Sequence, residues 1–285
     1  MRTSDRLLAA ANFDALISGS DLPRLEARAL LEHASGRSRE WLIAHGDEAP
    51  GADSAARFAE LAQRRRAGEP LAYLVGEREF HGRCFKVDPA VLIPRPETEL
   101  LVDLVVQAAR ADATLLELGT GSGCIAVTLA CLRSDLHILA TDTSEQALAT
   151  ASSNAARLCP KALAAARLQF RAGDWWSAVN SGERFDLIVS NPPYIAAADP
   201  HLAQGDLRFE PANALASGDD GLDALRVICA GAPLRLRAAG MLFLEHGFEQ
   251  GAVVRALLGA ACFEQISTLQ DAAGLDRVTT GRLPA

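Results

Sequence analysis

Apolar residues along the first 75 positions recur at helical spacing: Leu7-Leu8, Leu16-Ile17, Leu25, Leu30-Leu31, Trp41-Leu42, Phe58 and Leu61. Gly19, Gly36, Gly46 and Gly68 stand between these segments as stops, so residues 1–75 are predicted to form a small helical bundle. From 80 to 91 the pattern changes to alternation about Gly82, with Phe85 and Val87 on one face. That predicts a β-hairpin inside a linker over 76–95, after which Pro96 suits the first turn of a helix. Beyond it the apolar residues come in short runs. Residues 115–118 read as a buried strand, 119–123 as a glycine turn and 124–127 as a helix start, and a second apolar run covers 136–141. Strands and helices then follow over 168–171, 186–190, 222–236, 240–246, 250–258, 263–269 and 277–280. This alternation predicts an α/β domain over 96–285, its parallel sheet covered on both faces. Ligands of such sheets bind beyond the strand C-termini, where the strand order reverses.

Two stretches of chemistry fall at that predicted edge. In Gly119-Thr120-Gly121-Ser122-Gly123, the glycines let the backbone turn tightly and approach a ligand while N–H groups at the helix start point outward. Asp142, at the end of the next apolar run, stands where a carboxylate would accept bonds from two ribose hydroxyls. NAD and S-adenosylmethionine proteins both use such an acid, so the loop alone leaves the cofactor open.

The second stretch is Asn191-Pro192-Pro193-Tyr194, directly after the run 185–190. Two prolines cannot continue a sheet ladder, so the chain must leave the sheet in a stiff loop. The Asn191 side-chain oxygen and the Pro192 carbonyl can then both accept hydrogen bonds. An amide or exocyclic amino group donates two such bonds, and Tyr194 offers a flat apolar wall. Asn191, Pro192, Pro193 and Tyr194 are therefore the candidate substrate contacts, with Asn191, Pro192 and Tyr194 as the catalytic set. A nicotinamide dehydrogenase needs a proton donor instead of an NH2 clamp, and no histidine here stands in such a setting.

Composition narrows the class further. With 285 residues and 49% hydrophobic content the chain can build one large core and a smaller domain. A net charge of −8 disfavours an enzyme that depends on neutralising phosphates, so no nucleic-acid partner is expected. Arg64-Arg65-Arg66 is the only basic cluster and reads as a helix end, within a first 80 residues that carry 11 basic and 13 acidic side chains. The six cysteines, at 84, 124, 131, 159, 229 and 262, form neither a Cys-x-x-Cys pair nor a metal-ligand cluster with histidine. They suit a reducing compartment; with no signal-like start and no apolar stretch of spanning length, a cytoplasmic protein without a membrane role is expected. Nothing resembles a coiled coil, so a monomer is the default.

The motifs together resemble the protein-glutamine N5-methyltransferases that modify peptide-chain release factors. Besides the glycine loop and clamp, the likeness is carried by Tyr73-Leu74-Val75-Gly76, Glu79-Phe80-His81-Gly82 and Val91-Leu92-Ile93-Pro94-Arg95-Pro96-Glu97-Thr98-Glu99. Glu210-Pro211, Gly218-Asp219-Asp220-Gly221, Glu245-His246-Gly247 and the segment 271–277 extend it. It implies a doubly wound, mostly parallel, seven-stranded class I methyltransferase sheet with S-adenosylmethionine as cofactor and S-adenosylhomocysteine as product. Gly119, Thr120, Gly121, Ser122, Gly123, Asp142 and Asn191 would bind the cofactor. In that fold Asp174 would accept from the adenine amino group and Trp175 would cover the ring. The implied reaction is an in-line displacement in which the glutamine of a release factor's Gly-Gly-Gln loop takes the methyl group on its amide nitrogen. The helical bundle would help dock that substrate.

Three rivals stay in view. Relatives that methylate a ribosomal protein share the clamp but usually depart from Pro-Arg-Pro-Glu-Thr-Glu. A DNA adenine N6-methyltransferase would need a target-recognition domain, for which the chain has no obvious place. A non-catalytic adaptor would be expected to have lost clamp or glycine residues. Glu97, Glu210 and His246 receive no assigned role.

Overall fold

The computed structural model describes Leu7 and residues 10–285; Leu8, counted above in the first helical segment, lies outside the described residues. The chain divides into two compact units that part between Glu77 and Arg78.

The first unit contains α1 (Phe13–Ser18), α2 (Arg24–Ser35), α3 (Arg39–Ala44), α4 (Ala52–Arg66) and α5 (Leu71–Val75). Asn12 and Ser38 cap α1 and α3 with side-chain oxygens, satisfying N–H groups that a helix start leaves free. Leu16, Leu30, Leu31, Leu42, Phe58 and Leu61 meet in one core, as their helical spacing predicts. Leu25 differs: it is 70% exposed, because α2 turns Ala27, Leu30, Leu31 and Ala34 inward and position 25 falls off that stripe. The arginine run ends α4 and is engaged within this unit. Arg64 pairs with Glu69, Arg65 with Glu26, and Arg66 donates to the Ser20 carbonyl.

A hairpin of β1 (Glu77–Phe80) and β2 (Arg83–Lys86) follows, and all of it but Glu77 belongs to the second unit. His81 and Gly82, both at positive φ, make its two-residue turn, so the hairpin starts earlier and ends sooner than the alternation suggested. The segment to residue 95 is no free connector. Phe80 and Phe85 are buried in the core of this unit, and Asn154 brackets Lys86 by accepting from its N–H and donating to its carbonyl.

After α6 (Glu99–Ala108) the strands are β3 (Thr114–Leu118), β4 (His137–Asp142), β5 (Leu168–Ala172), β6 (Phe185–Ser190), β7 (Leu236–Glu245), β8 (Glu264–Gln270) and β9 (Asp276–Arg282). They form one seven-stranded sheet in the order β5-β4-β3-β6-β7-β9-β8. The ladders from β5 to β7 are parallel, and β9 alone runs against its neighbours. Its reversal follows from the turn before it, where Asp271 accepts from Ala273 N and Leu275 N and folds β8 back on β9.

Strand residues alternate between two cores as the period of two requires. Leu115, Ile138, Leu187 and Phe243 face α6 and α7 (Cys124–Leu132) on one side. Leu116, Leu139, Ile188 and Leu242 face α8 (Asp223–Gly231) and α9 (Gly251–Ala260) on the other. The stretch expected over 222–236 splits, because α8 ends before a 3-10 turn at Ala232–Leu234 and β7 begins at Leu236 rather than 240. The strand order reverses at β3, whose neighbours are β4 and β6. The glycine loop after β3 and the clamp after β6 thus leave adjacent strands, with Leu118 paired to Ser190 at their last rungs.

Candidate active site

The glycine loop is held from below. Gly119 N and Thr120 N both donate to the Thr141 carbonyl at 2.9 Å, and Gly119, Gly121 and Gly123 all have positive φ. A Cβ at Gly123 would press on Ala151 at 3.0 Å, whereas one at Gly121 would enter open space. The turn is therefore packed at its helix end and open toward the ligand side.

Beneath the loop lies Glu117, a carboxyl in the middle of a buried strand. It accepts from Thr120 Oγ1 at 2.7 Å through one oxygen, while the other is buried without a partner. Burial pushes its pKa up to about 7. Ser122 Oγ is likewise buried and unpartnered. At the end of β4, Asp142 accepts from Gly121 N at 2.8 Å and from Ser144 N at 2.9 Å, one bond per oxygen. A carboxylate has about four acceptor positions, so two remain for hydroxyl donors.

After β5, Asp174 caps a 3-10 turn over Trp175–Ala178 by accepting from the Ser177 backbone, with the Ser177 hydroxyl answering its own N–H. Trp175 follows at φ 43, a left-handed conformation uncommon for an aromatic residue, and its ring lies beside Gly119. Trp176 points elsewhere: its indole donates to the Val227 carbonyl and its ring packs on the core.

After β6, Ser190 Oγ donates to the Leu118 carbonyl and ties the clamp strand to the loop strand. Asn191 Nδ2 donates to Thr98 Oγ1 at 3.1 Å, Gln250 Nε2 donates to the Tyr194 carbonyl at 3.0 Å, and Ile195 N donates to the Leu215 carbonyl. Gly221 crosses so close that a Cβ there would meet the Tyr194 carbonyl at 2.4 Å. The clamp is thus fixed on several sides.

These elements surround one cleft with about 920 Å³ of empty space, open solvent included. Gly119, Thr120, Gly121, Ser122, Asp142, Asp174, Trp175, Asn191 and Pro193 line it together. Pro192 is buried, and Tyr194 does not line the cleft: it packs on the core. The opposite wall comes from Leu92, Pro94 and Arg95 with Pro211, Asn213 and Ala214. Glu210 joins those two segments. Its buried carboxylate accepts from Ile93 N at 3.0 Å and pairs with the Arg95 guanidinium. His246 is buried between the Thr279 hydroxyl and the Gly247 carbonyl, with burial holding its pKa down, and serves the sheet. Glu97 is exposed.

Glu117 and Thr98 belong to this site although neither was singled out as a site residue: Thr98 lines the cleft and Glu117 lies beneath the glycine loop. The available signal was, for Glu117, a carboxylate set among leucines in an apolar strand. The cleft suits a nucleoside cofactor: buried polar atoms under the loop lack partners, the open glycine cradle admits close approach, and a strand-end carboxylate has spare acceptor positions.

A seven-stranded sheet with a reversed last strand, a glycine loop after its first strand and an Asn-Pro-Pro-Tyr turn beside it define a class I, Rossmann-like methyltransferase. A family model described as the PrmC N-terminal domain matches residues 9–76, and one described as the methyltransferase small domain matches residues 96–218. A release factor glutamine methyltransferase of Bordetella pertussis is 49% identical over 270 residues, covering 94% of this chain and 98% of its own. One of Xylella fastidiosa is 50% identical over 265 residues, covering 92% and 94%. The chain belongs to the release factor glutamine methyltransferase family. A methyltransferase of Pyrococcus furiosus of known structure shares the fold, with a TM-score of 0.54 and 15% identity, covering 80% of this chain and 100% of that one.

Proposed function

We propose that the protein methylates the side-chain amide nitrogen, N5, of the glutamine in the Gly-Gly-Gln motif of peptide-chain release factors, using S-adenosylmethionine. The observation that carries this is the meeting of Asn191 and the glycine loop in one cleft, from adjacent strands. S-adenosylmethionine, when bound, supplies an electrophilic methyl carbon on a sulfonium. Gly119 to Gly123 would hold it with Asp142 at the ribose and Asp174 and Trp175 at the adenine.

The chain's own task is to make a weak nucleophile competent. An amide nitrogen has its lone pair delocalised into the carbonyl, so it must be held in line and favoured as it becomes positive. Asn191 Oδ1 and the Pro192 carbonyl accept its two N–H groups. Those bonds strengthen as charge rises on nitrogen, which directs stabilisation to the transition state. No strong base is required, since the methylated nitrogen is acidic and loses its proton readily. The helical unit is the substrate-docking part in this reading.

Equilibrium dialysis with labelled S-adenosylmethionine and with NAD, followed by methyl transfer to release factor, ribosomal protein and DNA, tests the proposal. Retention of S-adenosylmethionine and labelling of release factor are expected. Retention of NAD alone, or labelling of DNA or ribosomal protein in place of release factor, overturns it.

A further inference from the structure

A glutamine side chain carries its amide only about 5 Å from its own Cα, so a clamp that holds the amide brings the main chain of the protein substrate close to the clamp's rim. The loops around that rim therefore meet the substrate. On one side of the clamp strand β6 lie β3 and β4, whose glycine loop and Asp142 are given to the cofactor. On its other side lie β7 and then β9, joined to it through the rungs Ser190 with Leu244 and Glu245 with Val278. In-line attack brings the nitrogen to the methyl carbon from the face away from sulfur, which turns the incoming chain toward this β7–β9 side.

Two loops stand there. After β7, residues 247–250 form a turn closed by Gln250 N on the Gly247 carbonyl at 2.9 Å. The Gln250 side chain locks it, since Oε1 accepts from Gly247 N at 2.9 Å and Nε2 donates to the Tyr194 carbonyl at 3.0 Å. Phe248 thus occupies the corner of a turn tied directly to the clamp, and it is 53% exposed. Turn corners favour Gly, Pro, Asn, Asp and Ser, each for a backbone reason that phenylalanine does not share. Before β9, Asp271 folds the segment 271–275 and leaves Leu275 42% exposed. The two loops adjoin: His246 N donates to the Arg277 carbonyl at 3.0 Å, and a Cβ on Gly251 would meet the Asp276 carboxylate at 2.8 Å. Neither Phe248 nor Leu275 belongs to a hydrophobic core among the described residues. The methyl-transfer chemistry makes no use of either loop, although Glu245-His246-Gly247 and the segment 271–277 both carry the family likeness.

We propose that Phe248 and Leu275 form an apolar docking rim for the release factor, meeting the folded surface that flanks its Gly-Gly-Gln motif. The inference rests on the reading of Asn191 as the clamp for the substrate amide. Continuity with the clamp selects this occupant over a second copy of the chain. A stable self-association takes about 800 Å² from each partner, far more than two partly exposed side chains offer. A rim this small suits a partner already held at another point, and the clamp is that point for the substrate. Contact at the rim is the same before and during methyl transfer, so it raises affinity for the factor without raising the rate of the bound complex. A peptide limited to Gly-Gly-Gln reaches the clamp but brings no folded surface to the rim.

The test uses the full-length protein, steady-state methylation of a whole release factor and of a capped Gly-Gly-Gln peptide, and calorimetric S-adenosylmethionine affinity with denaturant midpoints as the check on folding. Phe248→Ala/Leu275→Ala should raise KM for the release factor roughly 10-fold with kcat nearly unchanged, the scale of truncating an aromatic anchor in an interface. Peptide kcat/KM, cofactor affinity and midpoint should not move. Phe248→Leu, which keeps an apolar corner, should retain most of the affinity for the factor. Leu234→Ala removes a side chain that is 68% exposed ahead of β7, at the opposite edge of the sheet, and should leave KM as it is. An unchanged KM in the double variant overturns the inference, as does an equal rise in Leu234→Ala. An equal loss on the peptide also overturns it, because the defect then lies in the clamp, reached through Gln250. So does a dimer that the double variant breaks while release-factor kinetics stay intact, which assigns the rim to a second copy. Asn191→Ala separates the two levels: a slow Asn191→Ala beside an unaffected double variant refutes only the rim, while an Asn191→Ala protein at full rate refutes the clamp and the inference with it.

Discussion

Individual side chains in the cleft carry loads that differ with their surroundings. Asp142 is a strand-end acceptor already engaged by Gly121 N and Ser144 N, with two positions to spare for hydroxyl donors. Asp142→Ala should weaken S-adenosylmethionine binding by about 1.5–3 kcal/mol, the usual cost of losing hydrogen bonds to a charged group. An unchanged calorimetric affinity in a folded variant would remove Asp142 from the cofactor site. Glu117 is a carboxyl whose ionisation burial resists, its folded pKa about 7 against an ordinary 4.5. Below about 4.5 both folded and unfolded chains hold the proton and no penalty exists. Between about 4.5 and 7 only the unfolded chain ionises, so stability falls as pH rises and then levels off above 7. Glu117→Gln keeps an acceptor for Thr120 and has no charge to bury. It should therefore be more stable than the parent at pH 8, by up to about 3 kcal/mol, with the gain vanishing near pH 4.5. Denaturant midpoints at pH 4.5 and pH 8 check this; an equal offset at both would refute it.

At the scale of elements, the cleft depends on loops fastened to one another across the strand ends. The segment 92–95 and the loop at 210–214 form its far wall, and the buried Glu210 carboxylate joins them through Ile93 N and Arg95. Removing one partner of a buried pair leaves the other without its acceptor, which costs more than the pair contributes in place. Arg95 is partly exposed and can rehydrate, so Glu210→Ala should destabilise the protein by about 2–3 kcal/mol rather than the full cost of a deeply buried break. Cofactor affinity should fall with it as the wall loosens. Denaturation and calorimetry on the same variant test both parts, and a variant with parental stability would show that the wall is held by packing alone.

For the whole molecule, the division between Glu77 and Arg78 separates a helical unit with its own core from the unit that contains every residue lining the cleft. Cofactor binding should therefore survive removal of residues 1–77, while methylation of an intact release factor should collapse. A short peptide carrying Gly-Gly-Gln should be methylated at similar rates with and without the helical unit. Full-rate methylation of the whole factor by the folded truncated protein would leave the helices with a stabilising role only.

The sequence by itself determined what is local. Helical and strand periods, the glycine turn, the proline-stiffened clamp and the predicted convergence of loop and clamp at a switch in strand order all follow from neighbouring residues and turn chemistry. Even Leu25 obeys that logic once the buried stripe of α2 is traced. Tertiary structure decided which polar groups acquire partners. Thr98 and Asn191 are 93 positions apart, and Arg95 and Glu210 are 115 apart. No period or spacing marks one carboxylate among 36 acidic residues as the one that will be buried against a particular hydroxyl or guanidinium. The same holds for the incorporation of the hairpin segment into the sheet unit through Phe80, Phe85 and Asn154, and for the packing of Tyr194 on the core rather than along the cleft. Such choices depend on desolvation and on complementary donors arriving from distant segments, and those exist only once the chain has folded.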